Sequence, residues 1–161
     1  MVLTTAEKAR ALRSDPVYVL ASHQGLVAHS EPSRVYPTEL TRFGGPGNVA
    51  KLYEDARLEP ADISCALFYD ATSFAAMMNL ETYGLTPWGS AWRHLLEHGI
   101  GPRSPLPVNT HGGHLSEGYI HGMNHLTEAV RQLRGTSSNQ IPGVEFVLVG
   151  NNAASSAILG R

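Results

Sequence analysis

Three groups of residues in this 161-residue chain have types and spacing suited to chemistry. The first is Asn109-Thr110-His111-Gly112-Gly113. Paired glycines let backbone approach a ligand closely, and N–H groups at a helix start favour a developing oxyanion. The same five residues would serve equally as a bare strand–helix turn. The second group is four histidines, His111, His114, His121 and His125. His121 and His125 stand four apart, a spacing that brings two imidazoles to one helical face, as in some metal sites. The Glu of a metalloprotease helix is replaced by Gly122, and no metal site is expected. Both histidines also fall off the apolar stripe, where solvent or a subunit interface is the expected surrounding. The third group is Tyr69 and Tyr119. Buried tyrosines are usually core residues with a satisfied hydroxyl, yet these two stand where elements should end or begin. A phenol titrates at about 10 in water, so acting as a base at neutral pH would need environmental tuning. Cys65, among Ile63, Ala66 and Leu67, reads as a small core residue rather than a nucleophile.

The elements that must position these groups follow from periodicity and punctuation. Thr5 to Arg13 reads as a short helix, and Val17 to Ala21 as a strand. Residues 22–48 read as a long loop, a kind often functional in compact domains. A helix over 48–57 and a turn at Leu58 to Asp62 lead into the buried strand Ile63 to Tyr69. Helices follow from Thr72 to Thr82 and from Gly89 to His98, the second with Trp92, Leu95 and Leu96 on one face. Val108 to Thr110 forms a short strand running into the glycine pair. Leu115, Tyr119, Met123, Leu126, Val130 and Leu133 then step by three or four, predicting an amphipathic helix closed by Gly135. Two strands, Val144 to Val149 and Ser156 to Leu159, flank the turn Gly150-Asn151-Asn152. Alternating helices and strands predict a layered α/β/α domain whose mixed sheet closes with an antiparallel hairpin at one edge. Loops at one end of that sheet should hold the ligand, with Tyr69-Asp70 beside Asn109 to Gly113.

Composition narrows the class. Twelve Lys+Arg against fourteen Asp+Glu give a net charge of -2, which argues against a nucleic-acid binder. Hydrophobic residues make up 42% of the chain and charged ones 16%, enough apolar content for one ordered domain. No apolar run reaches the roughly 20 residues of a membrane span. The start lacks the order of a secretory signal, and a lone cysteine fits a reducing, cytoplasmic setting.

The stretch from Pro107 to Gly135 resembles the thiolase superfamily, most closely the lipid-transfer-protein (sterol-carrier-protein-type) thiolases of actinobacterial steroid breakdown. In thiolases an Asn-x-x-Gly-Gly strand–turn precedes a Gly-His-Pro histidine and a helix ending Gln-Leu-Arg-Gly. Asn109, Gly112, Gly113, Gly118 and Gln132-Leu133-Arg134-Gly135 match that pattern, with Tyr119-Ile120 at the His-Pro position. The sterol-carrier-type His-Asp-Cys-Phe loop corresponds to Tyr69-Asp70-Ala71-Thr72, again Tyr for His. The last thiolase loop falls at Gly150-Asn151-Asn152, and Thr4 to Lys8 resembles the stretch just after the N-terminal half. The chain is thus read as a C-terminal thiolase-like domain over 1–161, without the N-terminal half that bears the nucleophilic cysteine.

Tyrosines at both positions look like the thiolase-fold retro-aldolases that cleave the side chain of steroid β-hydroxyacyl-CoA thioesters. The resemblance implies a carbon–carbon lyase with Tyr119 as base and Tyr69 as acid. Asp70, Asn109, His111, Gly112, Gly113 and Gly150 would hold the substrate or its oxyanion. Coenzyme A enters as part of the substrate, and no cofactor is expected. Implied partners are the missing half, a second copy in a homodimer, and an acyl-CoA-binding protein with an OB fold and zinc ribbon. A thiolase performing Claisen chemistry is the nearest alternative, disfavoured by the two tyrosines and the lack of a cysteine in a tight turn. A non-catalytic interaction module is the other, since an isolated half exposes apolar surface that seeks a partner.

Overall fold

Every side chain of the run Cys65–Phe68 is buried, and this run forms strand β2. Both of its faces are covered, so it reads as continuously apolar rather than alternating. The computed structural model describes residues 2–12, 15–24, 46–114, 117–118, 120–151 and 155–161. Most of the expected loop over 22–48, together with Tyr119 and Asn152, lies outside the described residues. The chain runs α1 (Ala6–Leu12), β1 (Tyr18–Gln24), α2 (Pro46–Ala56), β2, α3 (Ser73–Thr82), α4 (Ala91–His98), α5 (Met123–Arg134), β3 (Phe146–Asn151) and β4 (Ser155–Gly160). Thr72 caps α3 by accepting the Ala75 N–H at 3.1 Å. Gly135, with φ near 70°, ends α5 in the left-handed conformation.

The sheet has the order β1-β4-β3-β2, with β2 parallel to β3 and β4 antiparallel to both neighbours. The β3–β4 hairpin therefore lies in the centre of the sheet, not at the edge expected for it. β1 returns to pair along β4 and takes the edge position instead. Alternate residues of β2 face opposite layers. Ala66 and Phe68 join Leu52, Tyr53 and Tyr83, while Cys65 and Leu67 meet Ala129 and Leu133 of α5. This is the three-layer α/β/α arrangement.

Three local expectations are corrected. Residues 107–109 run beside β2, but the only bridge there joins Ala66 to Val108, so no full strand forms among the described residues. Helix α5 begins at Met123, not Leu115, so the Gly112-Gly113 pair is not its N-terminus. Trp92 and Leu96 of α4 are exposed, and Leu95 alone of the three packs on the core. Because β1, β2 and β3 run in one direction, Gln24, Phe68 and Asn151 end together, beside the start of β4.

Candidate functional site

At that end of the sheet lies a cavity of about 360 Å³. Its wall includes His23 of β1, Tyr69, Gly150, Ser156 of β4 and His125 of α5. Tyr69 is held there from both sides. Its N–H continues the β2–β3 pairing by donating to the Gly150 carbonyl at 3.0 Å. Its ring packs on His114, with centroids 4.4 Å apart. Gly150 lacks a side chain because the fully buried Tyr83 lies against it, and a Cβ there would stand 2.6 Å from the phenol oxygen.

The Asp70 and 109–113 loops meet as expected, through specific bonds. Asn109 takes a left-handed backbone (φ 50°), and its side-chain oxygen accepts the Phe68 N–H at 2.7 Å. Its Nδ2 donates to the Phe68 carbonyl at 3.0 Å, so this amide is committed to closing the end of β2. Asp70 Oδ1 accepts the His114 N–H at 2.6 Å, and a Cβ on Gly113 would overlap the Asp70 carboxyl. The Gly112 N–H donates to the Asn109 carbonyl at 2.9 Å. It therefore closes a turn and is not the outward donor expected of it. Asp70, Asn109 and Gly112 shape the loop behind Tyr69.

A buried polar network, not visible as a motif, anchors the loop from behind. Glu128 Oε1 accepts from Thr110 Oγ1 at 2.6 Å, Ser137 Oγ at 2.7 Å and Gln132 Nε2 at 3.0 Å. Asn139 Nδ2 donates to the Thr110 carbonyl at 2.7 Å, and the Ile141 N–H donates to Gln132 Oε1 at 3.0 Å. Cys65 lies alongside, fully buried, and burial pushes its thiol up to about 12. That thiol is a core group with no nucleophilic role at neutral pH.

His121 and His125 do not share a helical face, since His121 lies before α5, yet both line the cavity. His121 is exposed and precedes α5, in keeping with the expected solvent or subunit-interface setting, whereas His125 is buried within the helix, against it. The inner face of α5 is largely polar, comprising Asn124, His125, Glu128 and Gln132 with Ala129 and Leu133. A stripe drawn from apolar residues alone is rotated away from it, because the inward polar groups mostly bond to one another or to the 109–113 loop. The i, i+4 pair Glu128 and Gln132 was the available sequence signal.

His125 Nδ1 lies 2.9 Å from His111 Nε2. Burial, followed by the nearby His111, lowers His125 to about 4, and burial also lowers His111. As pH falls, the unfolded chain protonates His125 before the folded one does. Its contribution to stability is therefore complete above about pH 6.5 and declines by on the order of 3 kcal/mol on approaching pH 4. Guanidinium denaturation at pH 7, 5.5 and 4.5 should show this decline, and His125→Phe should make it shallower. An equally steep decline in the variant would assign it to other groups.

A layered α/β/α domain with its cavity at the carboxyl ends of β1 to β3, and a glycine-paired loop behind, is a thiolase-type architecture. Residues 27–159 match the thiolase C-terminal domain-like family, and the chain belongs to that family. It is 39% identical to the 17-hydroxy-3-oxo-4-pregnene-20-carboxyl-CoA lyase of Mycobacterium tuberculosis, over 99% of this chain and 42% of that protein. It is 37% identical to the steroid side-chain-cleaving aldolase of Thermomonospora curvata, again over 99% and 42%. Among solved structures, the Ltp2-ChsH2(DUF35) aldolase superposes with a TM-score of 0.87 at 37% identity, over 97% of this chain and 42% of that one. The chain thus spans about two-fifths of the length of these relatives. The resemblance drawn from residues 107–135 is borne out.

Proposed function

We propose that this chain is the C-terminal half of a thiolase-fold carbon–carbon lyase that cleaves a steroid β-hydroxyacyl-CoA by a retro-aldol reaction. The observation that carries this reading is the placement of Tyr69. It stands on the cavity wall at the end of β2, where sterol-carrier-type thiolases have a histidine. The lyase and aldolase named among the relatives support the same chemistry.

In this reading Tyr119 takes the proton of the β-hydroxyl, and the Cα–Cβ bond breaks to give a ketone and a thioester enolate. Tyr69 then protonates the enolate carbon. The thioester stabilises the enolate, so the step needs no metal or prosthetic group. In the same reading the backbone N–H groups of His111 and Gly113 meet the thioester oxygen. Gly150 brings bare backbone to the cavity wall. An N-terminal thiolase half completes the enzyme, which works in the cytoplasm as a homodimer with an acyl-CoA-binding OB-fold and zinc-ribbon partner.

The test is ketone release from a steroid β-hydroxyacyl-CoA by the chain co-expressed with a thiolase-type N-terminal half. Tyr69→Phe and Tyr119→Phe should each lower kcat by roughly 10²- to 10⁴-fold. Full activity in both variants rejects the mechanism. Acyl transfer to coenzyme A without ketone release would favour the Claisen alternative.

A further inference from the structure

Among the described residues, three other than glycine take a positive φ: Arg57, Asn109 and His121. Two of them have a local account. Arg57 follows α2 directly and turns the chain out of that helix, its N–H donating to the Glu54 carbonyl at 3.0 Å. Asn109 bonds through its amide to the N–H and carbonyl of Phe68. His121 is the third, with φ 50°, and Gly122 follows it at φ 86°. The Met123 N–H donates to the Ile120 carbonyl at 3.2 Å, so two positive φ values stand at the centre of the turn 120–123, as in type I′. Glycine, asparagine or aspartate suit the first central position of such a turn best. Backbone alone closes this turn, so its geometry gives no reason for an imidazole there.

The cavity supplies a reason. His121 is exposed and lies on the cavity wall. The turn backs onto Tyr69, since a Cβ on Gly122 would stand 3.7 Å from the Tyr69 ring. On the α5 side the wall comprises His121, Gly122, Met123, His125 and Leu126. Only the two histidines among these have side chains that donate hydrogen bonds. His125 Nε2 is buried, and its Nδ1 is joined to His111. His121 is therefore the side-chain donor that this wall presents to a ligand, next to Tyr69.

The lyase reading sets what such a donor meets. There the β-hydroxyl gives its proton to the base, and the thioester oxygen is held by backbone N–H groups. The hydroxyl oxygen, on the carbon next to the one that Tyr69 protonates, is left without a donor. It also gathers negative charge as its proton leaves. An imidazole carries an N–H whether neutral or charged, and meets that need in either state. We propose that His121 donates to the β-hydroxyl oxygen of the acyl-CoA and so selects hydroxylated thioesters over their unhydroxylated counterparts, a role that rests on the lyase reading.

The test is a pair of dissociation constants, for a steroid β-hydroxyacyl-CoA and for the same thioester lacking the hydroxyl. Calorimetry on the enzyme completed by its N-terminal half supplies both, in a Tyr69→Phe background so that the ligand is not consumed. With His121 in place the hydroxylated thioester should bind roughly 10-fold more tightly. His121→Gly suits the turn and removes the donor. It should narrow the preference to within about twofold while affinity for the unhydroxylated thioester stays within about twofold. The ratio is read within one preparation, so loss of folded protein does not move it. His121→Asn, also suited to a positive φ but too short to reach, should behave alike. An unchanged preference in both variants overturns the proposal, and so does an equal loss of affinity for both thioesters or no preference with His121 in place. Ketone release by the unaltered complete enzyme tests the lyase reading separately. Preference without ketone release sinks that reading alone, and ketone release with an unchanged preference in the variants sinks the His121 contact alone.

Discussion

Replacing Glu128 with alanine is expected to lower the unfolding midpoint of this chain by roughly 6–20 °C, the equivalent of about 3–5 kcal/mol. The side chain is 2% exposed, and its Oε1 receives three donors. Truncation leaves the Thr110 and Ser137 hydroxyls and part of the Gln132 amide short of an acceptor, and it opens a void beside Cys65. Thr110 sits within the site loop, so backbone amides at 111–113 should exchange with solvent faster than in the parent. Glu128→Gln keeps an acceptor oxygen in place and should cost about 1–2 kcal/mol. Calorimetry and hydrogen exchange on both variants provide the check. A Glu128→Ala chain as stable as the parent would show that the network holds nothing in place.

The second large effect is expected at Gly113. Its φ of 78° is costly for any residue with a Cβ, and that Cβ would overlap the Asp70 carboxyl. Gly113→Ala must therefore displace Asp70 and break its 2.6 Å bond to the His114 N–H. The expected loss is about 2–4 kcal/mol, from backbone strain plus the broken bond. Tyr69 precedes Asp70 and packs on His114, so its phenol moves with them. In the completed enzyme this should reduce kcat by roughly 10²-fold, the usual scale for an ångström of misplacement. Gly143→Ala is the control. Gly143 has φ 69°, but a Cβ added there would meet no described atom within 4 Å, so it should lose only about 1 kcal/mol. Equal losses at the two glycines would assign the effect to backbone strain and not to Asp70.

Much of the architecture was legible in residue pattern. The buried run around Cys65–Phe68, the hairpin strands and the end of α5 at Gly135 all follow from local apolar content and punctuation. The position of Tyr69 just past the end of β2 was legible as well, since the buried apolar run stops there. What failed has one physical source. The start of α5, its buried face and the surroundings of His125 depend on polar side chains that turn inward because they find partners there. Pattern reading treats a polar residue as outward-facing, and nothing local shows that Glu128, Thr110 and Gln132 will meet. The sheet order failed for a related reason, since β1 and β4 pair across more than a hundred residues of chain.

By itself the sequence determined an α/β domain of thiolase type. This is a property of short segments, set by side-chain type and spacing. The tertiary structure alone decided that Asn109 is spent on β2, that Gly112 closes a turn, and that His125 is buried against His111. Each of those outcomes depends on which distant group satisfies a donor or acceptor once the sheet has assembled, and only the folded chain makes that choice.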